Sequence, residues 1–286
     1  MAAKRHTPTV RLRRLAAELR RLRTAADLTR EVVTDRTGIN EATLYRIETA
    51  RVRPQRRTLT GLLDLYEVGE PQRSDVLALL TDSGKQGWLR PYHSDLPEEY
   101  TTYIGFEAEA RAVRNYESLF IPGLLQTEDY ARAVIKGVLP MAGSTEVEQR
   151  VQARIERQAV LTKDQPLKLW AIIDEAAVRR AVGRPGTMAA QMEHLARMTD
   201  EPNVTLQVIP FSAGAHPGMP GSFVLMDFPG VEDPEVVYID SMAGDLFLEA
   251  EADIRRYGVA FDNLRAVALR PDQSASVIAT VAKDGR

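Results

Sequence analysis

The segment from Leu28 to Leu63, LTREVVTDRTGINEATLYRIETARVRPQRRTLTGLL, restricts the fold more than any other stretch, because it spells helix, tight turn, helix in a short span. Thr29 can cap a first helix whose opening turn carries Glu31, setting a side-chain acceptor and a carboxylate at its positive end. Gly38 stands where that helix must end and the backbone turn through positive φ, a conformation glycine adopts without a Cβ penalty. Asn40 can cap the next helix. There Leu44 and Ile47, with Ile39 at the entry, share an inward face. Glu41, Ala42, Thr43, Tyr45 and Arg46 occupy the outward one. Small and polar side chains on an exposed helix face suit a DNA major groove.

The flanks complete a small helical core. Between Val10 and Ala26, Leu12, Leu15, Ala16, Leu19 and Leu22 recur at spacings of three and four, and the polar side is rich in arginine. Pro54 ends the second helix, an apolar helix resumes over Thr58–Tyr66, and residues 70–81 read as one more. An arginine-rich helix alone is more often a solvated face than a DNA surface. The charge distribution argues for DNA. Residues 1–67 hold 15 lysines and arginines against 8 acids, +7, so with a chain total of −3 the remainder carries −10. A basic head on an acidic body fits phosphate binding by one domain.

Residues 10–80 resemble the λ-repressor-like, or Xre-type, helix-turn-helix domain. The resemblance implies an ion pair between Arg23, late in the first helix, and Glu48, late in the recognition helix. It puts Arg30 where relatives often carry glutamine, and Asp27 and Ala50 where they tend to have glycine. The implied DNA-contacting set is Thr29, Arg30, Asn40, Glu41, Ala42, Thr43, Tyr45, Arg46, Arg51 and Arg53. Double-stranded DNA bound by a homodimer is the expected target.

With 286 residues, 44% hydrophobic and 27% charged, the chain has room for two ordinary globular domains. The absence of cysteine excludes disulfides, thiolate metal sites and cysteine nucleophiles. MAAKRHTP is followed by no apolar run, so a secretory signal is not expected. The uncharged segment Pro202–Met226 holds four prolines and three glycines, too many for a membrane helix. A cytoplasmic protein without a membrane partner is the expectation. SGKQGWLRPYHSDLPEE reads as a boundary, giving a helix-turn-helix domain at 1–83, a linker at 84–98 with Trp88 as a packing anchor, and a second domain at 99–286.

That second domain reads as α/β (α+β) with a central mixed sheet behind an all-α head. Helices are expected at Tyr100–Val113, Thr127–Val138, Glu146–Leu161, from Glu175 through EAAVRRAV, and at Thr187–Thr199, Glu249–Leu264 and Asp272–Ala282. Strands are expected at Tyr116–Ile121, Leu167–Ile173, Val204–Ile209, Ser222–Asp227 and Val236–Asp240. FIPGLLQTEDYARA (Phe120–Ala133), IDEAAVRRAVG (Ile173–Gly183), VTLQVIPFSAGAHPGMPGSFVLMDF (Val204–Phe228) and VVYIDS (Val236–Ser241) resemble the uncharacterised domain that follows the helix-turn-helix in many actinobacterial regulators, including the WhiJ type. The resemblance implies a small acidic partner protein or a small-molecule effector.

Asp174 and Glu175, Asp227, Glu232, Asp233, Glu235, Asp240 and Asp245 supply carboxylates. No helical pairing of histidine with carboxylate stands out, so caps and solvated faces are the favoured reading, with no metal, cofactor or catalytic residue expected. Asp174 stands as an N-cap at a strand-to-helix change. Of His6, His93, His194 and His216, the last draws interest, in SAGAHPGMPG between two strands. His216, Gly218 and Gly221 form a candidate ligand loop, although neither GxGxxG, GxxxxGK[ST] nor GxSxG is present. A structural loop and a ligand site are equally compatible with this pattern. The leading reading is a transcriptional regulator whose second domain senses a small molecule or binds a partner. Its rivals are an enzyme acting on a nucleotide or nucleic acid, targeted by the helix-turn-helix, and an interaction adaptor.

Overall fold

The computed structural model describes residues 10–82, 96–229, 235–241 and 244–284. Trp88, His6, His93, Glu232, Asp233 and residues 84–95 of the expected linker lie outside them. The chain forms two compact units, and Pro97–Phe106 groups with the N-terminal one while Glu107 onward belongs to the second.

The first unit is helical: α1 Val10–Ala25, α2 Arg30–Thr37, α3 Glu41–Glu48, α4 Arg56–Leu65 and α5 Gln72–Asp82, followed by the first part of α6 Glu98–Glu109. Leu15, Leu19, Val33, Leu44, Ile47, Leu59, Leu62 and Leu63 make its core, as their spacing demands. Three of its helices end on a left-handed residue other than glycine: Asp27 at φ 55°, Ala50 at φ 57° and Glu67 at φ 55°. Each closes with the paired bonds of a Schellman cap. For α4 these run from Glu67 N–H to the Asp64 carbonyl at 3.1 Å and from Val68 N–H to the Leu63 carbonyl at 3.0 Å. A Cβ in this region is strained, so Glu67→Gly is expected to raise stability by about 0.5–1 kcal/mol after glycine's larger unfolded-state entropy is counted. A thermal melt showing a lower midpoint for the variant would contradict this.

The second unit carries one six-stranded mixed sheet in the order β3-β2-β1-β4-β5-β6. The strands are β1 Ala112–Glu117, β2 Lys168–Asp174, β3 Val204–Ile209, β4 Phe223–Asp227, β5 Val236–Ile239 and β6 Leu246–Leu248. β1, β2 and β3 run parallel, with Tyr116 opposite Ile172 and Ile172 opposite Gln207. β4, β5 and β6 add antiparallel. The helices are α7 Glu128–Val138, α8 Ser144–Glu156, α9 Glu175–Arg179, α10 Thr187–Met198, α11 Glu251–Val267 and α12 Pro271–Asp284. Tyr116, Ile172, Phe223, Leu225 and Val237 pack with Phe261 and Leu264 of α11 in one core. A helical head followed by an α+β unit with a mixed sheet is the architecture.

Several expected boundaries are corrected. The helix expected over Tyr100–Val113 stops at Glu109, and the strand expected at Tyr116–Ile121 is β1, earlier in the chain. Arg111 pins that entry, its N–H on the Asp227 carbonyl at 2.9 Å and its Nε on Asp227 Oδ2 at 2.6 Å. Arg111 and Arg114 dilute the apolar alternation that marks a strand, and the acids that balance them lie more than a hundred residues away. Glu146–Leu161 is not one helix: α8 gives way at Arg157 to a 3-10 turn, where the guanidinium turns inward onto buried Glu107, Nε to Oε1 2.8 Å and Nη2 to Oε2 3.0 Å. The helix opened by Asp174 ends at Arg179, short of the full EAAVRRAV run, and β6 is a strand beyond the five expected.

Candidate nucleic-acid interface

Thr29 accepts a hydrogen bond from Val32 N–H at 3.3 Å and so starts α2, and Asn40 Oδ1 accepts from Ala42 N–H at 2.9 Å and starts α3. Between them Gly38, at φ 71°, closes α2 on the Thr34 carbonyl. These caps fix where α3 begins and therefore which side chains it presents. Leu44 and Ile47 are buried, whereas Glu41, Ala42, Tyr45 and Arg46 are exposed and Thr43 is half-buried.

α3 is locked by its buried carboxylate. Glu48 has no exposed side-chain surface, and Arg23 Nε reaches its Oε1 at 2.6 Å while Arg23 Nη2 reaches Oε2 at 3.2 Å. Arg23 also donates from Nη1 to the Leu28 carbonyl at 2.7 Å, and its own carbonyl accepts Leu28 N–H at 3.1 Å. One arginine thus fastens the α1–α2 connection to the last turn of α3. Arg30 is a third member, its Nε 2.8 Å from Glu48 Oε2. The resemblance implies a DNA contact for Arg30, and the structure gives it a role in the fold as well. Burial, with the Glu48 charge second, pushes the nearby Tyr66 hydroxyl above its ordinary pKa.

Beyond α3 the Schellman cap sends Arg51 N–H to the Arg46 carbonyl at 2.8 Å. Arg51 is exposed, with its guanidinium carbon 5.7 Å from the centre of the Tyr45 ring, and that of Arg30 lies 5.2 Å from the same ring. Arg46 Nη2 is 3.4 Å from Thr43 Oγ1, a long contact that leaves the guanidinium available. Arg53 instead donates to the Leu80 carbonyl of α5 and serves the packing of the unit. An open cleft beside the start of α2 is lined by Asp27, Thr29, Arg30, Glu31 and Glu41. Its carboxylates repel phosphate, and of its two lining arginines Arg23 is committed to Glu48 and the Leu28 carbonyl, which leaves Arg30 as the one suited to phosphate.

In the second unit, the candidate ligand loop sits over the carboxyl ends of β1 and β2. The His216 side chain is 6% exposed, its Nε2 3.3 Å from Asp174 Oδ2. Its Nδ1 accepts from Gly218 N–H at 3.3 Å, so both ring nitrogens are engaged. Gly218 lies against Tyr116, where an added Cβ would stand 2.4 Å from the ring, and Gly221 takes φ 145°. Asp174 caps α9 through Ala176 N–H at 2.8 Å. Glu175 accepts Phe211 N–H at 2.8 Å, Asp227 pairs with Arg111, and Glu235 with Arg114 at 2.9 Å. The sequence did not single out Glu117 at the end of β1. Burial raises its carboxyl to about 7, the Asp240 charge adds to this, and bonds from Ser222 and Asn115 oppose it. The available signal was Asn115 two residues earlier on the same strand face, its Nδ2 3.4 Å from Glu117 Oε1. Among the described residues no group of three or more histidines and carboxylates is placed to hold a metal ion. None of their helices is long and apolar enough to cross a membrane.

Comparison with known families matches residues 14–76 to a helix-turn-helix domain and residues 100–280 to a domain of unknown function, DUF5753. No curated protein and no solved structure matches the chain. The second match spans more than half of the sequence, so the chain belongs to the DUF5753 family, whose domain it carries behind a helix-turn-helix.

Proposed function

We propose that the protein is a sequence-specific, DNA-binding transcriptional regulator of the Xre type, working as a homodimer in the cytoplasm. One observation carries this reading: α3 presents Glu41, Ala42 and Arg46 on an exposed face while buried Glu48 fixes its far end to α1 and α2. Arg30 and Arg51 supply phosphate-facing charge that sets the register. Arg46 can donate to guanine O6 and N7, and Glu41 can accept from cytosine N4. The second unit is the sensing or partner-binding part, taking a small-molecule effector or a small acidic protein. Support comes from its resemblance to the second half of WhiJ-type regulators.

Arg46→Ala is expected to weaken binding to a selected operator by about 1–3 kcal/mol and to relax base preference at one position. Titrations against operator and randomised competitor measure both. Unchanged affinity together with unchanged preference would remove Arg46 from the reading face.

A further inference from the structure

Tyr45 is an aromatic residue on the reading helix whose ring touches two cations. The residue is 41% exposed, and the guanidinium carbons of Arg30 and Arg51 stand 5.2 Å and 5.7 Å from its ring centre. The two cationic heads therefore lie no farther apart than the sum of those distances. They come from different places in the fold, Arg30 opening α2 and Arg51 following the cap of α3. Like charges brought together repel, and long side chains lose rotamer freedom when held. Two features offset this here. Glu48 takes Arg30 through Nε at 2.8 Å, leaving its Nη groups without a hydrogen-bond partner among the described residues. The negative face of the Tyr45 ring attracts both guanidinium groups. Arg51 has no acid within ion-pair distance among the described residues, so the ring is its one electrostatic tether found there.

We propose that Tyr45 is a positioning residue, holding Arg30 and Arg51 as a two-guanidinium clamp for the DNA phosphate backbone. The inference rests on the DNA-binding reading and gives Tyr45 a task other than base contact. A clamp on phosphates carries no sequence information, so its signature is the salt dependence of binding, which steepens by about 0.9 in log–log slope for each phosphate neutralised on duplex DNA.

The test uses the full chain and a mixed-sequence duplex over a range of salt concentrations, with Tyr45→Phe and Tyr45→Leu as variants. Phenylalanine keeps the ring and removes the hydroxyl, whereas leucine keeps apolar bulk and removes the ring. Tyr45→Leu is expected to bind about two- to five-fold more weakly at low salt. Its slope should be shallower by about one unit, while Tyr45→Phe keeps the wild-type slope. Because the position is exposed, thermal midpoints of both variants should stay near that of the wild type. A Tyr45→Leu slope equal to the wild type overturns the clamp, as does a Tyr45→Phe loss equal to that of leucine, which would place the hydroxyl on DNA. A wild-type chain with no salt-dependent affinity for the duplex overturns the underlying reading itself.

Discussion

Replacing Glu48 with alanine is expected to destabilise the helical unit by about 3–5 kcal/mol, a large fraction of what an ordinary domain has to lose. The cost lies in the partners left behind. Arg23 keeps only 13% of its side chain exposed, and without Glu48 its remaining acceptor among the bonds described is the Leu28 carbonyl. Arg30, with 31% of its side chain exposed, can turn to water, so Arg30→Ala is the milder change. Denaturant melts of the wild type and the two variants measure the difference. A Glu48→Ala loss below about 1 kcal/mol would show a pair screened by solvent and would remove the lock on α3.

Glu117 is expected to impose the opposite kind of effect, a stability that falls as pH rises. Its folded carboxyl titrates near 7, against an ordinary value of 4.5. The folded chain therefore binds this proton more tightly than the unfolded chain. The contribution is complete below the unfolded value, is lost as pH rises through the folded one, and is gone above it. Asp240 and Arg154 act on the carboxylate with opposite signs, and Ser222 and Asn115 donate to it. Glu117→Gln keeps the shape without the charge and is expected to gain about 1–3 kcal/mol at pH 8 while changing little at pH 4. Thermal midpoints across that range measure it. Parallel pH curves for the two proteins would contradict the assignment of a desolvated carboxylate that resists ionisation.

The two halves of the chain differ in how much of this the sequence discloses. In the helical unit the determinants are local: Thr29, Gly38 and Asn40 act within a few residues of themselves, and Leu44 and Ile47 declare a face by spacing alone. What local signals could not supply was Arg30 as the second cation on Glu48, eighteen residues away in sequence. Nor could they show that Asp27, Ala50 and Glu67 take a glycine-like backbone without being glycine. In the sheet unit, β2 and β3 stand out as apolar runs because parallel strands are covered on both faces. β1 does not, since Arg114 is accommodated through Glu235, 121 residues further on, and the still more distant Phe261 ring. β6 is three residues long and owes its strand geometry to pairing with β5. The loop around His216 was legible as unusual but not as a loop fastened through Asp174, Gly218 and the Tyr116 ring, each contributed by packing.

The most direct test of the central claim is to recover the duplexes that the full-length protein retains from a random library over successive rounds and to sequence them. A homodimeric, sequence-specific reader enriches a motif of two related half-sites about one helical turn apart or a multiple of it, containing guanine at a position whose preference relaxes in Arg46→Ala. Recovery of sequences no different from the starting library, or a motif unaffected by Arg46→Ala and by other changes on the exposed face of α3, would contradict it.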